Sequence, residues 1–149
     1  MSGPRRTEAA RWFGQAVYDL RAARWNAEGG FHNTACFLAQ QAGEKALKSL
    51  LYYLGARRAA LLTHSLVEMV RAAEKRVEVL RPLTPDAREL DLHYIPSRYP
   101  NGLPSGYPHQ FYGPEMSEWA VAAAERIVTT VTRHYRVAGE EAILAAPET

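Results

Sequence analysis

Apolar residues recur at the helical spacing of i, i+3 and i+4 along most of the chain, and no stretch alternates with period two for long enough to make a strand. The first stripe, Ala9, Trp12, Ala16, Leu20 and Ala23, predicts a helix from about Thr7 to Glu28, stopped by Gly29 and Gly30. A second helix, Phe31 to Leu54, carries small residues (Ala35, Ala39, Ala42, Ala46) beside large ones (Leu47, Leu50, Leu51, Leu54) and ends at Gly55. Two apolar faces make it the central helix, with the alanine stripe turned to a bundle neighbour or to a second subunit. Leu66, Met69, Val70, Ala73, Val77 and Leu80 predict a third helix from Thr63 to Leu80. Thr84 as N-cap and Pro85 at the first helical position open a short fourth, to about Leu92. Pro114 opens the last, which buries Met116, Trp119, Ala123, Ile127, Val131 and Tyr135, and the tail 139–149 frays. The fold class that follows is all-α: an up-and-down antiparallel bundle of four main helices plus one short helix, in one domain spanning 1–149.

Between Leu92 and Pro114 the periodicity stops. Connections in compact domains run about four to six residues, so a proline- and tyrosine-rich segment this long marks a functional loop or a linker. Tyr94, Tyr99, Tyr107, Phe111 and Tyr112 are too many aromatics for a disordered segment, which predicts an ordered flap. The formal charge of +2 over 149 residues excludes a strong overall nucleic-acid field, although Arg5, Arg6 and Arg11 make the N-terminus locally basic. Cys36 is the only cysteine, which excludes an internal disulfide and a cysteine zinc site and places it in the core. No apolar run approaches the length of a membrane span, no leader pattern opens the chain, and a cytoplasmic protein is expected. His32 and His134 have no partner at ligand spacing, so no metal and no cofactor are expected.

Several stretches together resemble one family. Trp12 to Leu20 reads WFGQAVYDL, Cys36 to Gly55 reads CFLAQQAGEKALKSLLYYLG, His64 to Leu66 reads HSL, and Tyr94 to Pro100 reads YIPSRYP. In order and spacing these are similar to the HEPN domain, and the resemblance covers nearly the whole chain. It implies a helical bundle, a homodimer, and company with a nucleotidyltransferase encoded nearby in a two-gene system of toxin–antitoxin type. It also implies nucleotide binding (ATP or GTP) or, in some branches, metal-independent RNA cleavage.

The ribonuclease branch uses an arginine followed a few residues later by a histidine, the histidine moving a proton at the ribose while the arginine steadies charge on the phosphate. Arg57 and Arg58 precede His64, and Arg88 precedes His93, at such a spacing. Arg98 sits where the family places its arginine, but its next histidine, His109, is too far along. The candidate nucleotide-binding set is therefore Arg98 as a phosphate fork, Tyr94 and Tyr99 as stacking faces, and Gln41, Lys45 and Lys48 on one face of the second helix, with His64 beside them. Against it stands a structural account. Arg98 pairs with Glu44 or Glu115, the tyrosines plug an inter-helix groove, Glu44 and Lys48 make an i, i+4 pair on a solvated face, and Thr63 caps the third helix beside His64. Three functions remain open: nucleotide-binding module, endoribonuclease, and non-catalytic scaffold.

Overall fold

The computed structural model describes residues 3–145. It is all-helical, and the helices run α1 Gly3–Glu28, α2 His32–Leu54, α3 Arg58–Leu62, α4 Leu66–Glu74, α5 Thr84–Asp91, α6 Pro108–Phe111, α7 Pro114–Val137 and α8 Glu141–Leu144. Tight 3₁₀ turns occupy Glu78–Leu83 and Pro100–Gly102. Helices α1, α2 and α7 form the frame, with α1 antiparallel to the other two, whose starts meet at His32 and Ser117 and whose later turns meet at Ser49 and Tyr135, and α4 and α5 close its remaining side.

Helix α2 is central, as its two apolar faces require. Ala35, Ala39, Ala42 and Ala46 are all fully buried, so within the chain the small stripe lets neighbouring backbones approach and leaves no alanine seam for a second subunit. The closest approach is at Gly43, where an added Cβ would stand 2.8 Å from Leu66 Cδ2 and 2.8 Å from Leu90 Cδ1. Gly55 ends the helix with φ +68°, a left-handed cap that returns its N–H to Tyr52 O.

The predicted third helix is two elements. Helix α4 stops at Glu74, and the buried positions then continue at spacing three, Val77, Leu80, Leu83, the period of the 3₁₀ turn that follows. Because that turn runs straight into α5, Thr84 has no free helix start to cap. Its hydroxyl donates to Arg81 O instead. The N-cap of α4 is Ser65, not Thr63, with Ser65 Oγ accepting from Glu68 N. On α7 the inward face is Ser117, Ala120, Ala123, Ala124, Ile127, Val128, Val131 and Tyr135, while Trp119 is 58 % exposed. On α1, Phe13 rather than Trp12 is the large buried ring. Nor does the tail fray from Gly139: α8 follows, with Ile143 buried against the core. The last four positions of the expected frayed tail, 146–149, lie outside the described residues. Among the described residues no helix is long and apolar enough to cross a membrane.

Candidate functional site

One face of α2 carries Asn33, Phe37, Gln41, Glu44 and Lys48, spaced by three and four residues. The flap settles on the first half of that face. Asn33 Nδ2 donates to Ser97 O at 3.1 Å, Ser97 Oγ donates to His93 O, and Arg98 N and Tyr99 N both return to Ile95 O. The resulting turn carries Arg98 onto an aromatic bed. Its guanidinium carbon lies 4.3 Å from the Phe37 ring centre, 4.8 Å from that of Tyr99 and 5.0 Å from that of Tyr94, while Nε donates to Tyr94 O at 2.9 Å. Neither Glu44 nor Glu115 pairs with it, and its terminal nitrogens donate to no described residue. An arginine stacked on rings while its outer edge stays unpaired keeps that edge free for an anion.

Tyr94 links Arg98 to a second group. Its ring stacks on His64, with centres 4.9 Å apart and planes 18° from parallel, and His64 Nδ1 lies 3.3 Å from Glu44 Oε1. Glu44 is 4 % exposed and also accepts from Gln40 Nε2 at 3.2 Å and Lys48 Nζ at 3.3 Å. A buried carboxylate needs such partners to remain charged, and the cation beneath it is Lys48. An ionised carboxylate only accepts, so the proton on His64 sits at Nδ1 and a neutral ring presents a bare Nε2 lone pair. The ring is 55 % exposed.

The structure thus gathers Arg98, Tyr94, Tyr99 and His64, and leaves part of the expected set outside. Lys48 is only 5 % exposed, held by Glu44 and lying 5.3 Å over the Trp12 ring, so the i, i+4 pair forms in the interior rather than on a solvated face. Lys45 turns to α1 and pairs with Asp19, whose other oxygen accepts from Gln15 at 2.8 Å. Both lysines are spent on buried carboxylates. Gln41 stays on the right face but donates to Gln40 Oε1 at 2.7 Å. Of the other flap tyrosines, Tyr107 caps α6 with Gln110, and Tyr112 is buried with its hydroxyl 3.0 Å from His93 Nδ1. His93 is 2 % exposed, and burial holds its pKa below the usual range against the opposing pull of Glu89. That removes the Arg88 and His93 spacing from consideration, since a polymer cannot reach this imidazole. Phe37 and Asn33 were not legible as site residues on composition alone; the available signal was their i, i+4 register with Gln41.

A cavity of about 410 Å³ opens elsewhere, where the end of α1 meets the starts of α2 and α7. Arg24, Glu28, His32, Ser117, Glu118 and Glu125 line it, Arg24 and Glu125 pair at 2.8 Å, and none of the lining residues belongs to the Arg98 cluster. Among the described residues no three His, Cys, Asp or Glu side chains are grouped to hold a metal ion.

Comparison with known proteins follows the same lines. The model of the HEPN domain family matches residues 9–135. A crystal structure of a Thermus thermophilus protein is 35 % identical, with 85 % of this chain and 98 % of that one covered and a TM-score of 0.77. An archaeal HEPN homologue is 31 % identical over 85 % of this chain and 97 % of its own, at TM-score 0.70. An HEPN domain protein of Thermotoga maritima is 31 % identical over 85 % and 98 %, at TM-score 0.66. Among curated proteins, none matches the chain.

Proposed function

This chain belongs to the HEPN domain family, and from that premise we propose that it is a nucleotide-binding module whose site is built around Arg98. The observation that supports this reading best is the Arg98 guanidinium, lying within 5.0 Å of three aromatic ring centres while its outer nitrogens stay unpaired. A phosphate takes the open edge, and the exposed ring of Tyr99, with Tyr94 behind it, offers the face on which a base stacks. His64 and Gln41 border the same surface. Lys45 and Lys48 serve it from below, by fixing the charge of Asp19 and Glu44 rather than by touching the ligand. The flap from Leu92 to Gly113 contains no Asp or Glu to repel an anion. Family membership extends the proposal to a homodimer acting beside a nucleotidyltransferase partner, in a two-gene arrangement of toxin–antitoxin type.

A second reading, metal-independent RNA cleavage, draws on His64. Its Nδ1 lies against Glu44, its side chain is half exposed, and Tyr94 sets it beside Arg98. One set of samples separates the two. Calorimetry with ATP and GTP is expected to give micromolar binding that Arg98→Ala abolishes, while RNA incubated with the wild type stays intact. Cleavage that His64→Asn removes would replace the first reading with the second. No binding by the wild type would leave the flap as a structural or docking surface.

A further inference from the structure

The cavity of about 410 Å³ between α1, α2 and α7 lies apart from the Arg98 cluster, and its volume falls in the range of about 300–1,000 Å³ usual for a small-molecule site. Ala27 and Glu28 close α1 beside it, His32 opens α2, and the first half of α7 supplies the rest of the wall. The half-buried Ala27, Val121 and Ala122 make that wall largely apolar, while the exposed Glu28 and Glu118 stand at the mouth, one on α1 and one on α7. Arg24, the only arginine or lysine among the lining residues, pairs with Glu125 at 2.8 Å. Glu28 and Glu118 have no ion pair or hydrogen bond with any described residue. Behind them, Ser117 Oγ donates to Pro114 O at 3.1 Å, so the same oxygen accepts from His32 Nδ1 at 2.8 Å and a neutral ring keeps Nε2 as a further acceptor. Apart from the paired Arg24, the polar groups around the opening therefore accept hydrogen bonds and carry negative charge.

We propose that this cavity binds a short aliphatic diamine, held by Glu28 from α1 and Glu118 from α7. A concave site whose uncompensated charge is all of one sign focuses its field on the opposite charge, so the ligand is a cation. An inorganic cation suits the site poorly. It would leave the apolar wall uncovered, and among the described residues no three His, Cys, Asp or Glu side chains are gathered to coordinate it. Two ammonium groups joined by methylenes match both features. Each cation meets one carboxylate, and the chain between them lies along Ala27, Val121 and Ala122, as the stem of a lysine does on an apolar surface.

The test is calorimetry with 1,4-diaminobutane, with amide chemical shifts followed through the same titration. The wild type is expected to bind, with the shift changes gathered in residues 24–32 and 114–125, and Arg98→Ala to bind equally well, since no residue of that cluster lines the cavity. Two variants remove the two features separately. Glu28→Gln/Glu118→Gln takes away the charge and should weaken binding about tenfold or more. Ala122→Leu fills the cavity with both carboxylates in place and should abolish binding, with circular dichroism showing whether the helices are kept; if that variant does not fold, the charge variant decides alone. Magnesium ion, butylamine and N-acetyl-lysine amide should each bind more weakly than the diamine. An equal response to magnesium at the same amides would reduce the site to a pair of surface carboxylates, equal binding of butylamine would remove the role of the second cation, and tighter binding of the lysine amide would assign the site to a peptide side chain. Any of these overturns the proposal, as does a wild type that binds no diamine or a folded Ala122→Leu that binds it unchanged.

Discussion

Burial changes what individual side chains can do, and the interior of this bundle shows it at Cys36, Tyr112, Tyr135 and His93. Among the described residues no buried side-chain nitrogen or oxygen lacks a partner, as expected when each orphan would cost about 1–3 kcal/mol. Ser49 Oγ donates to Ala9 O at 2.6 Å and so accepts from Tyr135 OH at 2.8 Å, tying α1, α2 and α7 through one hydroxyl. Desolvation raises the Tyr135 phenol and pushes the Cys36 thiol up to about 12, with Glu89 adding to the effect on Cys36, which leaves that thiol unreactive at neutral pH. His93 moves the other way. Its folded pKa is lowered from 6.5, chiefly by desolvation, so above 6.5 the imidazole is neutral in both states and contributes no pH dependence. Below it, the unfolded chain takes up a proton that the folded chain refuses, and stability falls with pH until the folded group also titrates. His134, lowered by burial too, acts in the same direction. The melting temperature should therefore drop between about pH 7 and pH 5, and His93→Gln should flatten that drop while lowering the neutral-pH value. A variant whose melting temperature falls as steeply as the wild type's would show that His93 is not the group responsible.

Elements hold one another's ends. Asp91, the last residue of α5, sits at the unfavourable end of its own helix dipole, yet its carboxylate accepts from Leu66 N at 2.7 Å, Val67 N at 3.2 Å and Ser65 Oγ at 2.9 Å. It closes the start of α4 from outside, where the positive dipole end favours it. Asp91→Ala should cost about 1–2 kcal/mol, and Asp91→Asn, which keeps an acceptor but loses the charge, less than that. Urea midpoints of the two variants check the order; two variants that unfold at the wild-type midpoint would mean the cap contributes nothing. This contact also explains why the sequence misplaced the start of the third helix. Thr63 and Ser65 both look like caps, and the choice between them is made by a residue more than twenty positions later. The break after Glu74 was closer to legible. Val77, Leu80 and Leu83 repeat at three rather than at the α-helical period of about 3.6, but over two repeats the two differ by only about one position.

The whole molecule divides into a frame that local pattern specifies and a flap that it does not. Helices α1, α2 and α7 are long, their buried positions recur at helical spacing, and glycine or proline marks several of their ends, so their existence and order follow from spacing alone. The flap has no period, and its position depends on two contacts to α2, Asn33 to Ser97 and Phe37 to Arg98, and one between its own ends, His93 to Tyr112. The residue types at the site could be named in advance because of the family resemblance. That Lys45 and Lys48 face inward could not, because it depends on Asp19 and Glu44 being buried. These ties sit at the two ends of the flap. Between Pro100 and Tyr107 the chain has only its own local turns, and Gly106 adopts φ +70° beside the exposed Tyr107 ring. Local opening should therefore start there, since backbone with few tertiary contacts opens at the lowest free energy. Subtilisin, which has little sequence preference, is expected at low ratio to nick the folded protein first within 101–106 and to spare Tyr112, which burial and His93 hold in place. Asn33→Ala releases the tie to the Ser97 carbonyl and should speed that cleavage without moving its site, whereas a first cut at Tyr112 would mean that the His93 contact does not secure the base of the flap.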